Sequence, residues 1–270
     1  RVPVVDSHCH LDIHDSDRSG LHMDVDAALA AAAGVGVTRV VQVGCDVRSA
    51  HWSVELAETR DDVVAAVALH PNEAARIVER QGHEGLDMAW AQIAAIAEHP
   101  KVRAVGETGL DYFRTKGDGQ FVQQESFRWH IDLARELDKT LVIHDRDSHD
   151  DVLSILEEQG APERVVFHCF SGDAQMARHC AERGWFMSFA GVVTFASNDS
   201  LREALTVVPD DLVLVETDAP YLTPVPHRGM TNASYLVPLT VRAMAQTRGQ
   251  DLDELSALLW RNAERAFGPL

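Results

Sequence analysis

His8 and His10, one residue apart, are the first side chains in this sequence whose type and spacing suggest chemistry. They lie in Val4-Val-Asp-Ser-His-Cys-His-Leu-Asp12, an apolar run that turns polar and reads as a β-strand with a functional end. Side chains alternate along a strand, so Asp6, His8 and His10 share one face while Ser7 and Cys9 take the other. Two imidazoles about 6–7 Å apart on one face can converge on a divalent cation, although such a pair also occurs in ordinary strands. Four later strands each end in a further donor: Glu107, His144, His168 and Asp218. Imidazole nitrogen and carboxylate oxygen are ligands that Zn²⁺, Mn²⁺ and similar cations accept. Six donors exceed the needs of one tetrahedral ion. They suit two ions ~3.5–4 Å apart, bridged by a carboxylate and a water.

The elements that must position these residues alternate from end to end. Strands are expected at Val4–Asp12, Arg39–Gly44, Val63–Leu69, Val102–Glu107, Thr140–His144, Arg164–His168, Trp185–Ala190 and Leu212–Asp218. Helices are expected at Asp24–Ala33, Val47–Thr59, Leu86–Glu98, Gln123–Leu137, Asp150–Gln159, Ala174–Arg183 and Asp199–Val207, with two closing helices at Ser234–Thr247 and Leu252–Ala266. Thr108 to Gly119 reads as a long polar loop. Eight short apolar strands, each followed by a helix, predict a (β/α)8 TIM barrel in a single domain over residues 1–270. An open doubly wound sheet would need a Gly-rich phosphate turn after the first strand, where the sequence has His-Cys-His. In a barrel the donors would all stand at the C-terminal strand ends, where active sites of this architecture form.

Composition narrows the function. The 46% hydrophobic content supports a full core, and a formal charge of −18 argues against a broad electrostatic grip on nucleic acid. An enzyme whose few cations surround a metal-filled pocket remains compatible with that charge. Cys9, Cys45, Cys169 and Cys180 fit no zinc-ribbon or CxxC spacing and read as buried thiols of a reducing compartment. No secretory leader is legible before Val4, and no apolar run approaches the ~20 residues of a membrane span. The expectation is a cytoplasmic protein, monomeric, without a membrane partner.

Five stretches carry a family resemblance. They are Asp6-Ser-His-Cys-His-Leu-Asp12, Gly106-Glu-Thr-Gly-Leu-Asp-Tyr112, Ile143-His-Asp-Arg146, His168-Cys-Phe-Ser-Gly172 and Glu216-Thr-Asp-Ala-Pro-Tyr-Leu222. In order and at natural spacing, they resemble the signature motifs of the TatD-related metal-dependent deoxyribonucleases, part of the wider amidohydrolase superfamily of metal barrels. The resemblance implies two divalent ions (Zn, Mn or Mg) and hydrolysis of DNA phosphodiesters, often from the 3′ end. It implies that His8, His10, Glu107 and Asp218 hold one ion and Glu107, His144 and His168 the other. Three departures stand out. Thr108 replaces the usual Ile, Asp145 replaces a usual Ser, and Met230-Thr-Asn-Ala-Ser234 replaces a more basic run ending in Asn-Glu-Pro.

The chemistry expected of this set is attack by a water whose pKa two cations have lowered, with Glu107 bridging and Asp218 as ligand and general base. His70, Arg114, Arg146 and Arg228 are expected to grip phosphate. Tyr112 and Phe113 could stack on a nucleobase or pack the loop against the barrel mouth. Glu216 and Asp6, each two residues before a donor, read as buried polar partners rather than ligands. His14, His22, His51, His83, His99, His130, His149, His179 and His227 read as surface or structural. DNA, as single strands or 3′ ends, is the expected partner. The alternatives are a small-molecule phosphoesterase or amidohydrolase, a deacylase of mischarged tRNA, and a non-catalytic metal- or nucleic-acid-binding protein.

Overall fold

A computed structural model describes residues 2–13 and 23–270, so His14 and His22 lie outside the described residues. Eight parallel strands follow one another in chain order in one sheet, and helices separate them. This is the expected (β/α)8 barrel class. The strands are β1 (Val4–Cys9), β2 (Val37–Gly44), β3 (Val63–Val67), β4 (Val102–Asp111), β5 (Thr140–Arg146), β6 (Val165–Phe167), β7 (Phe186–Phe189) and β8 (Val213–Val215). The helices are α1 (Val25–Gly34), α2 (Val47–Glu58), α3 (Pro71–Ala97), α4 (Asp118–Glu136), α5 (His149–Gln159), α6 (Ala174–Glu182), α7 (Asp199–Val207), α8 (Val237–Arg248) and α9 (Leu252–Phe267). No helix among the described residues is long and apolar enough to cross a membrane.

The chain divides into two compact units, residues 1–42 with 169–270, and residues 43–168. In the first, β1 pairs with β2 through Val4↔Val37, Asp6↔Val40 and Cys9↔Gln42, and β7 pairs with β8 through Met187↔Val213. A bridge between Cys9 and Ala219 sets the end of β1 beside the segment after β8. Phe186, Met187, Phe189, Leu214, Leu255, Leu259 and Phe267 are buried here. Capping fixes the helix starts, because Asp24, Asp173 and Asp251 each accept a first-turn N–H.

In the second unit β3, β4, β5 and β6 pair in turn. Parallel strands bury both faces, which is why Val63-Val-Ala-Ala-Val67 is apolar throughout and buried throughout. Phe127, Ile131, Leu141, Ile143, Leu86 and Ile93 pack the core behind them. Asp46 and Ser49 form a reciprocal capping box that starts α2.

Two expectations in this unit need correction. The predicted loop from Thr108 to Gly119 is a loop only over 112–117, and α4 takes up Asp118 and Gly119. Thr108, Gly109, Leu110 and Asp111 continue β4 and pair with Ile143, His144, Asp145 and Arg146. Gly and Asp disfavour strands in isolation, and pairing with β5 overrides that preference. Helix α3 begins at Pro71, not Leu86. Pro suits the first helical position, and the run from Pro71 that the sequence reading leaves out joins the expected Leu86–Glu98 helix across a kink at the non-helical Gly82, φ 71°. Several strand ends also shift: β3 stops at Val67, β6 at Phe167 and, in the first unit, β8 at Val215, all earlier than the sequence suggests, while β5 runs on to Arg146. The donors His168 and Asp218 therefore stand just past their strands.

Candidate metal centre

In the first unit the end of β1 and the segment after β8 bring three donors together. His8 Nε2 lies 3.3 Å from His10 Nε2, and Asp218 Oδ1 lies 3.8 Å and 3.4 Å from those two nitrogens. The rings meet edge to face at 5.0 Å, as expected of residues i and i+2 on one strand face. Both histidines are buried. Asp218 adopts a left-handed backbone, φ 56°, a conformation in which Asp is enriched and which often marks functional positions. Its N–H donates to His8 O at 2.9 Å, and His10 N–H donates to Ala219 O at 2.8 Å.

Asp6 holds this arrangement from beneath. Its carboxylate accepts from Thr217 N–H at 2.9 Å and Thr217 Oγ1 at 2.6 Å, tying β1 to the residue before Asp218. Burial raises its pKa to about 6 against the lowering effect of those bonds. Asn232 Nδ2 donates to Thr217 O and Tyr221 O and so ties the segment after β8 to the backbone on either side of Asp218. Glu216 is fully buried and accepts Cys169 N–H at 3.0 Å. Gln42 secures the chain beyond His10, accepting Leu11 N–H and donating to Asp12.

In the second unit the centre is Glu107. Its Oε2 lies 2.8 Å from His168 Nε2, 3.1 Å from His144 Nδ1 and 4.0 Å from His70 Nε2. Cys45 Sγ donates to Oε1 at 3.3 Å. Burial alone would raise this carboxyl, but His168 and the hydrogen bond with His144 outweigh it and hold Glu107 well below the usual carboxylate range. His70, Glu107 and His144 offer one ligand atom each within 4.8 Å of one another.

His144 is gripped from its far side as well. Its Nε2 lies 3.2 Å from Asp111 Oδ2, while Nδ1 faces Glu107. Asp111 in turn accepts from Asn72 Nδ2 at 2.9 Å and Arg114 N–H at 2.8 Å, and its own N–H donates to Gln123 Oε1. Burial works against ionisation of Asp111, yet His144 and the Arg114 N–H keep its pKa low. A histidine held by a carboxylate at one nitrogen presents the other with fixed tautomer and direction, as metal-binding imidazoles require. Burial works to lower the pKa of His144, but the Asp111 and Glu107 carboxylates outweigh it and raise it. A divalent cation would take the place of the proton they favour, so imidazoles and buried carboxylates in this geometry fit such an ion.

His70 differs from its expected role as a cation. It caps α3, its Nδ1 accepts Asn72 N–H at 3.1 Å, and burial with the neighbouring His144 lowers its pKa to about 3. His70 is thus a neutral imidazole whose Nε2–H is a directed donor. Arg114, Arg146 and Arg228 are exposed. Arg146 lies over the Phe113 ring at 4.0 Å, and Arg228 over Phe195 at 4.0 Å. Tyr112 is committed elsewhere, donating to Asp151 at 2.6 Å and accepting from Gln124 at 2.6 Å. Asp145, the extra acid, accepts from Ser148 Oγ at 2.8 Å and pairs with His149 Nδ1 at 2.6 Å, so its charge is compensated locally.

The sequence reading missed three contributors. Asp111 sat inside a quoted motif without a role, because it was placed in a loop. Asn72, two residues past His70, was invisible without α3 starting at Pro71. Cys45 stands one residue past the end of β2, so the strand-end rule applied to that strand would have found it.

A barrel that gathers histidines with Glu or Asp at its strand ends defines the class of metal-dependent hydrolases. Comparison with known proteins narrows this. The family model described as "TatD related DNase" matches residues 5–268, and the chain belongs to that family. A Mycobacterium tuberculosis protein named "Uncharacterized metal-dependent hydrolase TatD" is 44% identical over 98% of each chain. The Escherichia coli K12 "Uncharacterized metal-dependent hydrolase YcfH" is 38% identical, covering 98% of this chain and 95% of its own. Among solved structures, the Escherichia coli TatD homologue YJJV superposes with a TM-score of 0.87 at 27% identity, covering 99% of this chain and 98% of its own. The protein is a metal-dependent hydrolase of the TatD family.

Proposed function

We propose that this hydrolase is a deoxyribonuclease acting on single-stranded DNA, removing nucleotides from the 3′ end. Two divalent ions (Zn, Mn or Mg), one on His8, His10, Glu107 and Asp218 and one on Glu107, His144 and His168, would supply Lewis acidity toward a phosphate oxygen and lower the pKa of the attacking water. The observation that carries this reading is Glu107, a buried carboxylate kept ionised among imidazoles at 2.8 and 3.1 Å. Asp218 orients the attacking water and takes its proton. His70 donates its Nε2–H to the phosphate without adding charge, and Asp111 holds His144 in place. Arg114, Arg146 and Arg228 neutralise flanking phosphates, the local cations that an acidic chain of net charge −18 requires.

The test is a time course on end-labelled single-stranded DNA with Mg²⁺, Mn²⁺ or Zn²⁺. The expected result is stepwise shortening from the 3′ end, reduced about 100-fold or more by Glu107→Gln. The overall negative charge favours one competitor, a small phosphoester or amide substrate in place of a polyanion. Turnover of such esters or amides with intact oligonucleotides under every metal condition would replace the nuclease reading.

A further inference from the structure

Beside the Glu107 cluster an aromatic ring and a cation are stacked without an evident structural need. Phe113 is 56% exposed, although its chain neighbours are well fastened: Tyr112 by Asp151 and Gln124, Asp111 by His144 and Asn72. The Arg146 guanidinium lies over the ring at 4.0 Å, and no ion pair joins it to a carboxylate among the described residues. Arg146 is two residues beyond His144 on β5, and its carbonyl accepts Tyr112 N–H at 2.9 Å. The pair therefore stands at the ends of β4 and β5, with Arg146 two residues past the donor His144 and Phe113 two past Asp111.

Planar stacking of a guanidinium on a ring lays down a flat surface while leaving the charge available for phosphate. An exposed phenylalanine is unfavourable in water unless something covers it. The chemistry that fits ring, plane and positive charge together is a nucleotide: the base covers the ring and its phosphate meets the cation.

We propose that Phe113 and Arg146 form a nucleobase subsite that stacks an unpaired base of the DNA strand whose phosphate reaches the Glu107 cluster. The proposal rests on the nuclease reading and deepens it, because only an unstacked base can lie on such a surface. It makes the enzyme selective for single strands through stacking rather than base-edge contacts, and so largely indifferent to sequence.

The experiment is steady-state kinetics of the metal-loaded protein on an oligothymidylate and on the same strand made abasic at its three 3′-terminal positions. Phe113→Ala should raise KM for the full oligonucleotide about 5–150-fold, the range for losing one base–aromatic stack, and Phe113→Trp should restore it. On the abasic strand the wild type should already show the raised KM, and Phe113→Ala should add less than about twofold. Arg146→Ala should raise KM on both strands, since it also meets phosphate. Cleavage of DNA by the wild type with KM untouched by Phe113→Ala, or raised equally on both strands, would overturn the subsite and leave the nuclease reading standing. A wild type that turns over neither strand would overturn both.

Discussion

Replacing Asp111 by Asn tests whether the second donor set is built or incidental. The carboxylate is 1% exposed. Its Oδ1 accepts Arg114 N–H at 2.8 Å, and its Oδ2 meets Asn72 Nδ2 at 2.9 Å and His144 Nε2 at 3.2 Å. An asparagine that keeps the Arg114 bond must turn its amide NH2 toward His144. That NH2 needs an acceptor, so Nε2 becomes the bare nitrogen and the ring proton moves to Nδ1, the atom that faces Glu107 at 3.1 Å. A protonated Nδ1 has no lone pair for a cation. Loss of a carboxylate that orients a ligating histidine typically costs 10–100-fold in metal affinity, about 1.4–2.7 kcal/mol. Competition titration with Mn²⁺ or Zn²⁺ would read the affinity, and ¹⁵N-detected NMR of the His144 ring would read the tautomer. Metal affinity within twofold of wild type, in a variant whose His144 still carries its proton on Nε2, would refute the reasoning.

Gly109→Ala should destabilise the protein by roughly 3 kcal/mol or more and weaken metal binding, because φ is +133° and an added Cβ would run into the His144 carbonyl oxygen; urea melts and metal titration would report both losses. His130 is fully buried and neutral, its Nε2 accepting Leu69 N–H and its Nδ1 bonded to Ser126 O, and burial lowers its pKa to about 4. The unfolded chain protonates this residue near 6.5 and the folded one only near 4, so its contribution is intact above pH 6.5 and falls by about 3 kcal/mol as pH drops between those values. Chemical melts of the wild type and His130→Gln at pH 7.5, 6 and 5 should converge as the solution is acidified; parallel curves would contradict this. Asp46→Ala should cost about 1 kcal/mol through the lost capping box of α2, measurable as a lowered urea midpoint with metal affinity preserved.

Much of the fold was legible because parallel barrel strands are short apolar runs between breakers, and Val63–Val67 or Leu141–Ile143 can hardly be read otherwise. The clustering of candidate donors was legible for a related reason. They are titratable residues at the ends of such runs, where nothing apolar explains them. What escaped was structure decided by neighbours. The extension of β4 through Gly109 to Asp111 depends on the β5 ladder, which local propensity does not encode. Asp111 and Asn72 lie 39 positions apart, and their bond exists only because α3 starts at Pro71 beside the β4 end. His70 read as a cation because histidine types suggest charge; its neutrality follows from burial and from the Asn72 N–H on Nδ1. Asp145 read as an added charge near the donors, and Ser148 and His149 engage it.

Anomalous diffraction from crystals of the protein grown with Mn²⁺ tests the central claim most directly. Two peaks per chain are expected, one on His8, His10 and Asp218 and one on Glu107, His144 and His168. Manganese bound elsewhere, or these donors carrying no anomalous signal at saturating Mn²⁺, would contradict the account.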